Sequence, residues 1–103
     1  KLSNGKFVNI GDIENTIKQY VTENFIVYGN NKDYNIIICE EQSKIDNETL
    51  EKINKSLDSY LRIKKILRLK EGSFQDVMTP KMSIKRKELE KKYHVEIENI
   101  YNL

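Results

Sequence analysis

The spacing of hydrophobic and polar residues changes along the chain and predicts alternating helices and strands. Residues 12–23 are predicted to form a first helix, capped by Asp12, because they carry apolar side chains at helical spacing: Ile13, Ile17, Tyr20 and Val21. Two β-branched and aromatic runs follow, at 25–28 and 34–40, separated by the polar segment 29–33. This pattern is typical of a hairpin whose glycine and asparagines adopt positive φ at the turn.

The second half of the chain adds two helices and a strand to this pattern. Asp46 is predicted to cap a second helix, whose apolar face is Leu50, Ile53, Leu57, Tyr60 and Leu61. Residues 63–69 are rich in isoleucine and leucine, which favours a third strand. The tail, from residue 83 or 85 to 102, is predicted to be one helix with the stripe Leu89, Tyr93, Ile97, Ile100 and Tyr101. The expected fold class is therefore α+β: a small three-stranded sheet with flanking helices.

Composition limits the range of functions. A chain of 103 residues has room for one domain with a modest core. A hydrophobic content of 38% with 33% charged residues is polar for a globular domain, but the tyrosines and the valine- and isoleucine-rich centre argue against disorder. The net charge of +2 is too small by itself to indicate a polyanion partner. Cys39, the single cysteine, follows three isoleucines and is predicted to be a buried thiol in a reducing compartment. No apolar stretch approaches the ~20 residues of a membrane span.

Residues 81–92 carry the strongest local charge in the sequence. Such a run is typical of a solvated helix face, a nucleic-acid patch, or a lysine positioned for phosphate chemistry. The acids Glu88 and Glu90 dilute the charge, and the run lacks the interleaved aromatic residues expected of single-strand binders. His94, the single histidine, has no second ligand at metal-binding spacing, so no metal site is predicted.

Two motifs help to choose among these interpretations. The chain begins K-L-S-N-G-K-F-V and reaches I-E-N at residues 13–15, and residues 79–87 read T-P-K-M-S-I-K-R-K. Both segments resemble the C-terminal domain of adenylate-forming acyl-CoA synthetases, most closely the long-chain fatty acid:CoA ligases. In two places the sequence departs from the pattern of that family. Lys81 replaces the second threonine of T-P-T, and residues 9–12 lack the usual proline.

The resemblance implies a role for particular residues. Lys85 corresponds to the lysine used in adenylation, where its compact cation would stabilise charge on the transferring phosphoryl group. A loop for CoA pantetheine is implied at Ser3, Asn4, Gly5 and Lys6, where a glycine lets the backbone approach a thin substrate. Arg86 and Lys87 are expected as further phosphate contacts. Glu14 matches a family position, but it would equally serve as an acid that complements the helix dipole.

The resemblance also implies the setting in which these residues act. Residues 1–103 would be a single C-terminal lid domain, a fragment of a ligase whose N-terminal adenylation domain binds ATP, Mg²⁺ and the acyl group. The full enzyme would use fatty acid, ATP and CoA in the cytoplasm, with peripheral attachment to the inner membrane face left open. Nucleic acid is not an expected partner. Two alternatives stay open: a stand-alone basic module for RNA or an acidic protein, and a lid whose enzyme activates a non-fatty acid.

Overall fold

A computed structural model describes residues 9–29, 32–81 and 83–102. Three strands and four α-helices follow one another in the described ranges: α1 (Ile10–Ile17), β1 (Ile26–Tyr28), β2 (Asn35–Glu40), α2 (Asn47–Lys55), β3 (Ile63–Leu69), α3 (Arg86–Lys92) and α4 (His94–Tyr101). Short 3₁₀ turns lie at Ser59–Leu61 and Gln75–Val77. The predicted α+β fold with a three-stranded sheet is confirmed.

The sheet is mixed, with β2 in the centre. β1 and β2 form the predicted antiparallel hairpin, in which Val27 lies opposite Ile37. β2 and β3 are parallel, because the chain returns through α2 before it enters β3. β1 is therefore an edge strand, and its outer side needs other partners for its backbone groups.

The two faces of the sheet bury two separate hydrophobic clusters. α1 and α2 cover one face, where Ile37 and Cys39 of β2 are fully buried. The turn at Gln75–Val77, α3 and α4 cover the other face, which includes Ile36 and Ile38. β2 thus alternates between two cores, which explains its unbroken apolar sequence. Burial raises the pKa of the Cys39 thiol, as expected for a core cysteine.

The first helix differs from its prediction at both ends. Its N-cap is Asn9, whose side-chain oxygen accepts a hydrogen bond from the Asp12 backbone N–H at 3.3 Å. Asp12 is thus a residue of the first turn and not the cap. The α-helix ends at Ile17 instead of continuing to residue 23, because the amides of Gln19 and Tyr20 bond three residues back and the β-branched Val21 and Thr22 follow.

The second helix begins as predicted at Asp46. Its carboxylate accepts hydrogen bonds from both the backbone N–H and the hydroxyl of Thr49, each at 2.9 Å. These bonds favour the ionised form and hold the pKa of Asp46 below its ordinary value. Asp46 therefore satisfies one of the amides that the first turn of a helix leaves without a partner.

The tail is two helices and not the single helix predicted. Tyr93, with φ −111° and ψ 26°, leaves the α-helical region between α3 and α4. The aromatic Tyr93 and the β-branched Val95 are weaker helix formers than the lysines and glutamates before them. Despite the break, Leu89, Ile97 and Ile100 reach the same hydrophobic cluster.

Gly29 has a different role from the one predicted for the hairpin turn. Its backbone is not in the left-handed region, which among the described glycines Gly72 alone adopts. A side chain is excluded for another reason: a Cβ at Gly29 would overlap the side-chain oxygen of Asn35. Asn30 and Asn31, the other residues of the predicted turn, lie outside the described residues.

Candidate functional site

The segment that leads to Lys85 is a loop closed by short hydrogen bonds. Met78 and Ile84 form an isolated antiparallel bridge, and the Thr79 backbone N–H donates to the Ser83 carbonyl at 2.7 Å. The Thr79 hydroxyl in turn accepts a hydrogen bond from the Ser83 N–H at 3.1 Å. These bonds hold the two ends of loop 79–85 together. Met82, near its tip, lies outside the described residues.

Lys85 stands where this loop meets α3. Its backbone N–H donates to the Val77 carbonyl at 2.7 Å, and its own carbonyl accepts the Leu89 N–H at 3.0 Å. The side chain is 46% exposed, and its Nζ lies 3.6 Å from a carboxylate oxygen of Glu88. An exposed ion pair of this length is weak, so the ammonium can exchange Glu88 for a more strongly charged partner. The fold fixes the backbone of Lys85 and leaves its head group available to a ligand.

Arg86, the next residue, reaches across to α1 and β1, although its side chain is still 43% exposed. Its guanidinium forms an ion pair with the carboxylate of Glu14, and its Nη1 lies 3.5 Å from the Val27 carbonyl oxygen. The other carboxylate oxygen of Glu14 accepts the Val27 N–H at 3.0 Å. Glu14 and Arg86 together bind both backbone groups of Val27 on the open side of β1. We call this arrangement the edge clamp.

The edge clamp was not predicted from the sequence. Glu14 was assigned to the first turn of α1, where it would complement the helix dipole, and Arg86 to phosphate binding. The structure places Glu14 in the second turn, with a side chain only 11% exposed. A buried carboxylate requires a partner, and in this fold the partner is Arg86, 72 residues later in the sequence. No local pattern connects two residues so far apart.

A groove of about 620 Å³ runs beside the edge clamp. One wall belongs to α1 and the segment before β1, including Lys18 and Glu23, and the other to Ser83 and Ile84 of loop 79–85. Its lining carries both signs of charge. The groove thus lies between α1 and loop 79–85, which leads to Lys85.

Several cations of the basic run are paired with acids of the domain itself. Besides Lys85 and Arg86, Lys92 contacts Asp76 at 2.8 Å, and this contact raises the pKa of Lys92. The side chain of Lys87 is exposed on α3. Because internal carboxylates offset part of the charge, the run is less suited to a polyanion than its sequence indicates.

The remaining predicted site residues give no further cluster. Ser3, Asn4, Gly5 and Lys6 lie outside the described residues. Within the described ranges no group of three or more histidine, cysteine or acidic side chains is arranged to hold a metal ion. His94 lies 4.0 Å from Glu98 on the surface of α4. None of the helices in those ranges is both long enough and apolar enough to span a bilayer.

Comparison with known proteins agrees with the motifs at the two ends of the chain. No curated protein and no solved structure matches the sequence. One protein family does match, over residues 1–103, and it is described as the AMP-binding enzyme C-terminal domain. The match spans the whole chain, including both the I-E-N segment of α1 and loop 79–85. The chain therefore belongs to the family of AMP-binding enzyme C-terminal domains.

Proposed function

We propose that this chain is the mobile C-terminal domain of an AMP-forming long-chain fatty acid:CoA ligase, and that Lys85 serves the adenylation step. The observation that carries the proposal is the presentation of Lys85. Its backbone is held by hydrogen bonds on both sides, while its ammonium is exposed and only loosely paired with Glu88. In a domain of the AMP-binding enzyme family, a cation presented in this way suits delivery to a phosphate group.

In the first half-reaction, the fatty acid carboxylate attacks the α-phosphorus of ATP and pyrophosphate leaves, which gives the acyl-adenylate. Two anions approach each other in this step, and negative charge develops on the oxygens of the transferring group. The Lys85 ammonium would stabilise that charge more in the transition state than in the ground state. Rotation of the whole domain would bring the lysine to the reacting atoms.

In the second half-reaction, the CoA thiol attacks the acyl carbonyl, loses its proton and displaces AMP. We assign this step to the other face of the domain, with Ser3, Asn4, Gly5 and Lys6 along the pantetheine. This assignment follows from the motif, since those residues lie outside the described part of the chain. Mg²⁺ would enter with ATP and be held elsewhere in the enzyme, because the described residues offer no cluster for it.

The choice of a fatty acid rests on the T-P-x-M-type terminal motif, in which Lys85 is followed by Arg86 and Lys87. The family match does not name the acid, and a lid serving a different carboxylic acid would have the same fold. A stand-alone nucleic-acid module is less well supported, because the cations of residues 81–92 include three that pair with acids of the domain itself.

Lys85→Ala in the full-length enzyme tests the proposal. We expect adenylate formation to fall by about 100- to 1000-fold, the usual effect of removing one preorganised charge partner. Thioester formation from supplied acyl-adenylate should change far less. Single-turnover pyrophosphate release measures the first half-reaction, and acyl-CoA yield from preformed adenylate measures the second. Lys91→Ala, which removes an exposed lysine of the same helix, is the matched control and should leave both rates nearly unchanged.

Two outcomes would contradict the assignment of Lys85. Equal loss in both half-reactions would make Lys85 structural, and no loss in either would place the adenylation lysine elsewhere, with Lys87 and Lys81 the next to test. The substrate class is tested separately by pyrophosphate exchange with acetate, benzoate and a series of fatty acids. A preference for acetate or benzoate would refute the fatty acid assignment and leave the role of Lys85 intact.

A further inference from the structure

The adjacent residues Lys85 and Arg86 have different partners, and this difference connects the catalytic candidate to the interior of the domain. Arg86 forms the edge clamp with Glu14 and Val27, whereas the side chain of Lys85 pairs with Glu88 of α3. A shift of the Arg86 backbone would necessarily move Lys85, since a peptide bond joins them. The position of the Lys85 ammonium is therefore coupled to a carboxylate of α1, 71 residues earlier in the sequence.

The other attachments of α3 leave its first turn dependent on the edge clamp. Leu89 is fully buried one turn further along, and Lys92 at the last position pairs with Asp76. These two contacts secure the middle and the end of the helix. At its beginning, the Lys85 N–H donates one backbone hydrogen bond to the Val77 carbonyl, and a single bond of this kind does not by itself fix the orientation of the helix. Arg86 is the side chain that ties this first turn to the sheet.

We propose that Glu14 is a positioning residue for adenylation, which sets the location of Lys85 by holding the Arg86 guanidinium against the edge of β1. This inference rests on the proposed function of Lys85. Glu14 does not touch substrate in this role. It acts through Arg86, and loss of the ion pair would let the first turn of α3 sample other orientations relative to α1 and β1.

The contact is suited to positioning because it is directional and because the Glu14 carboxylate is largely buried, although the Arg86 side chain is 43% exposed. A carboxylate and a guanidinium restrict each other's orientation more than a lysine pair does. Glu14 also accepts the Val27 N–H, so its carboxylate is fixed by two donors from different elements. Displacement of a catalytic group by only about 1 Å can reduce a rate by roughly 100-fold, so a small pivot of α3 would be measurable.

The experiment uses the full-length enzyme and the variant Glu14→Gln. Glutamine keeps the shape of the side chain and an oxygen that can accept the Val27 N–H, but it removes the charge that holds Arg86. We expect adenylate formation to fall by about 10- to 100-fold. Thioester formation from supplied adenylate and the midpoint of thermal unfolding should change little. Asp76→Asn, which breaks the Lys92 ion pair at the other end of α3, is the matched control and should leave adenylation unchanged.

A double-mutant cycle separates positioning from a general structural effect. If Glu14 acts through Lys85, Glu14→Gln should cause no further loss of adenylation in an enzyme that already carries Lys85→Ala. Arg86→Lys should behave like Glu14→Gln, because a lysine cannot bind the Glu14 carboxylate and the Val27 carbonyl at once as the guanidinium fork does.

Several results would overturn the inference, and they differ from those that overturn the proposed function. An undiminished rate in Glu14→Gln, while Lys85→Ala loses adenylation, would refute the positioning role alone. Equal losses in both half-reactions of Glu14→Gln would also refute it. So would a double variant whose adenylation rate is lower than that of Lys85→Ala alone. If Lys85→Ala itself has no effect on adenylation, the proposed function fails and the positioning role fails with it.

Discussion

Gly29 and Asn35 show at the scale of single residues how closely the hairpin is packed. Asn35 is completely buried at the start of β2 and donates a hydrogen bond to the Leu61 carbonyl at 3.0 Å. Its side-chain oxygen has no hydrogen-bond partner among the described residues and faces the position where Gly29 lacks a Cβ. Since Asn35 is held in place by Leu61, it cannot easily move to admit a larger residue.

We therefore expect Gly29→Ala to lower the free energy of unfolding by about 1–3 kcal/mol, the usual cost of overpacking. Urea unfolding of the 103-residue chain measures it. Gly11→Ala is the control, because its Cβ would lie 3.3 Å from an exposed oxygen of Asn9, in a helix where alanine is favoured over glycine. In an Asn35→Ala background the cost at Gly29 should shrink. Equal effects at Gly29 and Gly11, or an unchanged cost in that background, would contradict this explanation.

The errors made from sequence at this scale have a common physical cause. Asn9 and Asp12 are both good N-cap residues, and the choice between them depends on where the preceding chain turns. Glu14 and Arg86 lie far apart in sequence and meet because α1 and α3 approach the same edge of the sheet. Asp46 was predicted correctly because its cap is followed by an unambiguous helical pattern. The intrinsic preference of a residue for a cap position determines the structure only when tertiary contacts do not favour a different residue there.

At the scale of elements, β2 was the most predictable part of the fold. Its apolar run, the turn before it and the helical pattern after it all indicated one buried strand. The tail was less predictable, because Leu89, Tyr93, Ile97 and Ile100 fit one helix as well as two. Tyr93 and Val95 are weaker helix formers, but the spacing of the apolar residues does not reveal the break, because α3 and α4 contribute to the same hydrophobic cluster. The sequence pattern indicated the strands β2 and β3 but not the direction in which they pair, and the structure shows that they are parallel.

The position of β2 predicts the pattern of amide hydrogen exchange. β2 bonds to a neighbour on each side and is buried on both faces, so its amides should open only with global unfolding. Amides in the first turns of α1 and α3 should exchange faster through local fraying. Native-state exchange measured by NMR as a function of denaturant distinguishes these classes. Amides of α3 that exchange as slowly as those of β2 would show that the helix is not an independent element.

At the scale of the whole molecule, the described elements account for a domain that is compact by itself. The radius of gyration is 13.0 Å, close to the roughly 13 Å expected for a folded chain of about 100 residues. Two hydrophobic clusters, one on each face of the sheet, supply the core. Lys85, the described residue that carries the proposed chemistry, lies at the surface and outside both clusters.

We expect the 103-residue chain alone to fold but to bind Mg-ATP without saturation. Its four glycines are scattered singly, so the sequence contains no glycine-rich phosphate loop, and internal acids offset part of the basic run. Isothermal titration calorimetry measures binding, and circular dichroism verifies the fold. Weak heat that disappears in salt is the expected result, since exposed charges attract polyanions nonspecifically. Tight binding with a defined stoichiometry would show that this domain holds a nucleotide site of its own.

The division of the core between the two faces of β2 has a consequence for synthesis on the ribosome. The partners of Ile37 and Cys39 come from residues 10–66, so that face can be covered while the chain is still growing. The partners of Ile36 and Ile38 extend to Ile100. At roughly 5–20 residues per second, the remaining residues emerge over several seconds, during which an apolar sheet face stays open. The nascent chain would thus expose its most aggregation-prone surface to chaperones until α4 is complete.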